Sequence, residues 1–83
     1  MPYERIKAAK KKAVGSKQTL KAIQKGTAKA VFVARDAEDH VTRPIVDICQ
    51  AKGIELIWVD SMRKLGAACN IEVGSAAAVI LEE

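Results

Sequence analysis

At 83 residues the chain is too short to bury two hydrophobic cores, so a single domain over residues 1–83 is expected. Apolar residues make up 49% of it but include one Trp, one Tyr and one Phe, so the core must be built from Val, Ile, Leu and Ala; no run approaches the ~18 apolar residues of a membrane span, and no secretion signal opens the chain, which predicts a cytoplasmic protein. The net charge of +4 is unevenly divided, with nine Lys or Arg against Glu4 alone in residues 1–29, and five basic against nine acidic residues in 30–83; that asymmetry points to a polyanionic partner for the N-terminal third.

In chain order, Tyr3 to Lys12 is predicted as a helix, with Tyr3 and Ile6 inward and the lysines outward. Gly15-Ser16 reads as a tight turn into an N-cap, and Gly26 as a left-handed stop, which brackets a second helix at 16–25. Ala30 to Ala34 (A-V-F-V-A) is a continuous apolar run, as in a strand buried on both faces. An acidic loop (Asp36, Glu38, Asp39) reads as a solvated connector. Pro44 is placed in the first turn of a third helix, which turns Val41, Ile45, Ile48 and Cys49 to one side and stops at Gly53. Glu55 to Val59 is a second strand, with Trp58 read as core. Asp60 or Ser61 caps a short helix to Ala68, Cys69 to Ser75 is a loop, and Ala76 to Leu81 a last strand. Strand, helix and strand in succession form a crossover unit. The alternation predicts an α/β fold, a single-domain three-layer α-β-α sandwich around a small mixed sheet of about four strands.

Few residues in this pattern carry chemistry. Cys49 and Cys69 are read as buried thiols, because one histidine, His40, leaves them short of the four ligands of a structural zinc site. The acidic loop lacks the spacing of an EF-hand. No nucleophile, base and stabiliser assemble into an enzyme, and no cofactor is expected. The helix at 16–25 is more informative. Lys17, Lys21 and Lys25 are four apart and share one face, with Leu20 and Ile23 opposite. Lys17 and Gln18 fall in the first turn, where unpaired backbone amides and the helix dipole favour anions. Taken alone the lysine stripe reads first as a solvated face. Taken alone, too, Ile71-Glu72-Val73 is simply the approach to the last strand.

Together the two segments resemble a known family. Gly15-Ser16-Lys17-Gln18-Thr19-Leu20-Lys21 is similar to a signature of Gly, a small hydroxyl residue, Asn, Glu, two variable positions and Lys. Leu65-Gly66-Ala67-Ala68-Cys69-Asn70-Ile71-Glu72-Val73 is similar to a second one, a leucine-glycine helix running into an aliphatic-Glu-Val loop. The family is the kink-turn RNA-binding ribosomal proteins, and the chain is most similar to its small bacterial YbxF-type members. The resemblance implies a binding protein for structured RNA that contains a kink-turn, with ribosomal RNA among the expected partners, and a monomer. It further implies that Gly15 and Ser16 bring the backbone close and Gln18 bonds guanine edges of sheared G·A pairs. Lys21 would reach guanine or phosphate, Lys17 and Lys25 would neutralise phosphates, and Ile71, Glu72 and Val73 would cover the bulge. Arg63 and Lys64 either extend that footprint or lie on a plain surface helix. Lys17 and Gln18 depart from the family's Asn and Glu, which removes one acceptor and the charge on another and shifts the binding towards electrostatics. The alternative class is a basic protein-interaction adaptor, which the charge asymmetry fits equally well but which leaves the pairing of the two signatures without a reason.

Overall fold

The computed structural model describes residues 2–83. It contains α1 (Pro2–Ala8), β1 (Lys11–Val14), α2 (Ser16–Lys25), β2 (Ala30–Ala34), α3 (Asp39–Lys52), β3 (Leu56–Val59), α4 (Met62–Ala68) and β4 (Ala77–Glu82). The strands form one mixed sheet in the order β1-β4-β2-β3. β2 and β3 are parallel, as a strand-helix-strand crossover requires, and β4 runs antiparallel to both β1 and β2.

The two inner strands explain the layering. Side chains alternate between the faces of a strand, and both faces of β2 and β4 are apolar. Ala30, Phe32, Ala34, Ala78 and Ile80 pack with Ile6 of α1 and with Leu65 and Ala68 of α4. Val31, Val33, Ala77 and Val79 pack with Ala22 and Ile23 of α2 and with Ile45 and Cys49 of α3. Helices thus cover both faces, and the expected three-layer sandwich is what forms. Gly26 (φ 77°) and Gly53 (φ 68°) stop α2 and α3 in the left-handed conformation anticipated for them. Cys49 and Cys69 are buried thiols, as expected.

Four local expectations are corrected. The first helix ends at Ala8, and Lys11–Val14 is instead an edge strand that pairs with β4, with a register shift between Lys11 and Lys12. Lys12 does not point outward as a helix-face lysine: its Nζ donates to the carbonyls of Ile6 (2.9 Å) and Lys7 (3.1 Å), which closes the C-terminus of α1. Pro44 lies inside α3, beyond its first turn, because the helix already starts at Asp39. Trp58 is 38% exposed, since β3 is an edge strand, and the Arg35 guanidinium lies over its ring at 5.4 Å from the centroid. Among the described residues no helix is long and apolar enough to cross a membrane.

Candidate nucleic-acid interface

The turn into α2 is built around Gly15, whose φ of 105° and ψ of 151° lie in a region open essentially to glycine alone. Gly15, and not Ser16, is therefore the N-cap, and no side chain caps the helix. The Gly15 carbonyl accepts from the Thr19 N–H (2.9 Å) and from the Thr19 hydroxyl (2.8 Å), and its own N–H donates to the Ala77 carbonyl (2.9 Å). The amides of Ser16, Lys17 and Gln18 have no acceptor among the described residues. Below them Thr19, Ala22 and Ile23 are buried, while Lys17, Gln18, Lys21 and Lys25 are exposed and Leu20 is half-buried. The helix carries no acid in its first turn and only lysines as charged residues. Its amphipathic division is the one the spacing predicts, with Thr19 as an inward member that hydropathy alone does not mark.

The second segment is held by backbone packing. Asn70 takes a left-handed φ of 63°, which turns the chain after α4 back over that helix. The N–H groups of Asn70 and Ile71 donate to the Ala67 and Gly66 carbonyls (both 3.1 Å), and that of Ser75 donates to the Met62 carbonyl (3.0 Å). Gly66 is the contact point: a Cβ added there would sit 2.1 Å from the Val73 carbonyl oxygen. Gly74 in turn lies against the backbone of Met62. The loop that results leaves Val73 71% exposed, with Glu72 exposed and Ile71 half-buried.

Sheet topology brings the two segments together. β1 is antiparallel to β4, so the end of β1, where α2 begins, lies beside the start of β4, where the loop ends. The bond from Gly15 N–H to the Ala77 carbonyl joins them directly, and the Ser75 hydroxyl donates to that same carbonyl at 2.6 Å. The sheet end thus presents Gly15, Ser16, Lys17 and Gln18 on one side and Ile71, Glu72 and Val73 on the other. Lys21 follows one turn down α2.

The remaining candidates are placed differently. Lys25 lies at the far end of α2, away from this juncture. Arg63 is exposed on α4 and makes no ion pair among the described residues. Lys64 pairs with Asp60 at 3.2 Å and lines a groove between α1 and α4 with Tyr3, Glu4 and Lys7. The Tyr3 hydroxyl also donates to Asp60. These two partners hold the Asp60 carboxyl below its usual range, whereas burial and then the bond to Asp60 push the Tyr3 phenol up. Asp36 is more than a solvated connector: its Oδ1 accepts from the Met62 N–H at 2.8 Å and ties the loop after β2 to the first turn of α4. No spacing in the sequence signals that long-range contact.

Comparisons with known proteins identify the family. The model of the ribosomal protein L7Ae/L30e/S12e/Gadd45 family matches residues 3–83. An "RNA-binding protein" of Bacillus pumilus is 42% identical over 98% of this chain and 99% of its own length. "RNA-binding protein YbxF" of Geobacillus stearothermophilus is 41% identical, also over 98% of this chain and 99% of its own. Among solved structures, the Giardia lamblia 15.5kD RNA binding protein superposes with a TM-score of 0.85 at 26% identity, over 98% of this chain and 68% of that one. The chain therefore belongs to the ribosomal protein L7Ae/L30e/S12e/Gadd45 family.

Proposed function

We propose that this protein binds RNA, that it recognises the kink-turn, and that it does so as a monomer on ribosomal or other structured RNA. The observation that carries the reading is the meeting, at one end of the sheet, of an uncapped basic helix start with a loop that is hydrogen-bonded to α4 and displays Val73. Family membership and the names of the relatives support the RNA partner, and the family's ribosomal description supports the ribosome.

In A-form RNA the major groove is too deep and narrow for side chains to read. A kink beside tandem sheared G·A pairs opens it. The first turn of α2 then enters, because Gly15 and Ser16 add almost no bulk in front of the amides. Gln18 offers an acceptor and donors to guanine edges, while Lys17, Lys21 and Lys25 follow the phosphates. Ile71 and Val73 provide an apolar surface for an unstacked bulge base, and Glu72 an acceptor for its polar edge. Arg63, exposed on the helix that leads into the loop, meets the backbone beyond the bulge, and Lys64 joins it once it exchanges Asp60 for phosphate. The test is titration of Gln18→Ala and Val73→Asp against a labelled kink-turn duplex. Each variant is expected to lose about tenfold or more in affinity at unchanged fold; binding by both that equals the unsubstituted protein would show the site to be wrong.

A further inference from the structure

The face of α2 that carries Lys17, Lys21 and Lys25 does not stop at the helix end. A groove lined by Gln18, Lys21, Lys25, Ala13, Thr27 and Leu81 runs from the helix start to the opposite end of the sheet. Leu81 marks that end, and lysines flank it on both sides. On β1, Lys11 is in register with Glu82, and Lys10 precedes it; beside β2, the Lys29 N–H donates to the Ile80 carbonyl at 2.8 Å. Lys11 and Lys29 thus stand two strand spacings apart, about 10 Å. Lys10, Lys25 and Lys29 are exposed and make no ion pair among the described residues, and Lys11 has only a 4.0 Å contact with Glu82. The neighbouring acids Glu55 and Glu83 are already engaged by Arg5, at 2.7 and 2.6 Å. The path over α3 is less favourable to a polyanion, since Asp39 and Asp47 line the hollow beside Trp58.

We propose that one duplex arm of the bound RNA lies along the exposed face of α2 and that its distal backbone is held by Lys10, Lys11 and Lys29. This rests on the RNA-binding reading of the sheet-end site and extends it into a footprint of defined length. The ten residues of α2 span about 15 Å at 1.5 Å per residue. With the turn to Lys29 the track is roughly 20 Å long, or about seven base pairs at the A-form rise of roughly 2.8 Å per base pair. The distal lysines therefore count only when the arm is long enough to reach them. Each phosphate they neutralise steepens the dependence of log affinity on log salt by up to about 0.9.

The test uses the full chain and kink-turn duplexes in which either arm is cut to about four or extended to about ten base pairs, with a triple variant Lys10→Gln, Lys11→Gln, Lys29→Gln. A double variant, Lys10→Gln with Lys29→Gln, leaves strand β1 intact and guards against misfolding. The unsubstituted protein is expected to bind the RNA with one particular long arm at least about tenfold more tightly than its short-arm counterpart at low salt. The triple variant should bind both at the short-arm level with a shallower salt slope, and the double variant should fall between. Absence of any arm-length dependence overturns the proposal, as does an equal loss on short and long arms in the variants. Restoration of the lysines' contribution by a separate duplex supplied in trans also overturns it, in favour of a second RNA helix. In each of these three cases a preference for kinked over straightened RNA leaves the sheet-end site standing; loss of that preference in the unsubstituted protein removes both.

Discussion

Gly66 has no room for a side chain, because the Val73 carbonyl stands where its Cβ would be. Gly66→Ala must push the loop off α4, and relief of such overpacking costs about 1–3 kcal/mol. Thermal melting should show a Tm roughly 5 °C or more below that of the unsubstituted protein, and RNA affinity measured well below that Tm should fall as well, because Ile71 and Val73 are displaced. Gln18 acts through chemistry instead of packing. It is exposed, and in the proposed role of bonding base edges Gln18→Glu introduces a charged acceptor; hydrogen bonds to charged groups are worth roughly 1 kcal/mol more than neutral ones. Kink-turn affinity should rise severalfold in a direct titration, with a weaker complex as the contrary result.

α1 is only seven residues long, below the length at which an isolated helix is stable in water. It is fixed from outside: Ile6 enters the core, Lys12 closes its last carbonyls, and Arg5 forks to Glu55 at the start of β3 and to Glu83 at the chain end. The Arg5 hydrogen bonds hold both carboxyls below the usual carboxylate range. Depressed folded-state values mean that the tether stabilises above the unfolded carboxylate pKa of about 4.3 and is lost as pH falls through the folded values. Arg5→Ala should therefore lower Tm modestly at pH 7, as partly exposed ion pairs do, and the gap from the unsubstituted protein should narrow as pH falls below about 4.3; a gap that stays constant on acidification would contradict the tether.

The same elements show what a sequence can and cannot disclose. α2, β2 and β4 are legible because apolar runs and glycine stops act locally. β1 is not, because K-K-A-V has no strand signal of its own and becomes a strand only by pairing with β4. Trp58 misleads because the position of β3 at the sheet edge depends on strand order. For the site, the residue types and their helix face were readable, while the junction that assembles it, Gly15 on Ala77 and Gly66 under Val73, is tertiary.

Over the whole molecule, charge is segregated: the basic N-terminal third supplies α2 and β1, and all acids but Glu4 fall in residues 36–83, most of them in the connections around α3, β3 and β4. A polyanion is thereby drawn to the face that carries α2, and affinity should fall with salt as each phosphate neutralised releases counterions. In the proposed reading, specificity comes from the RNA shape that fits between the start of α2 and the loop at 71–73. The decisive measurement is titration of the purified protein into a labelled kink-turn duplex and into a control whose G·A pairs are made Watson-Crick, each at two salt concentrations. Recognition of the kink predicts a clear preference for the first RNA that persists as both affinities decline with salt; equal, salt-sensitive binding to the two would contradict it and leave a basic protein that attracts any duplex.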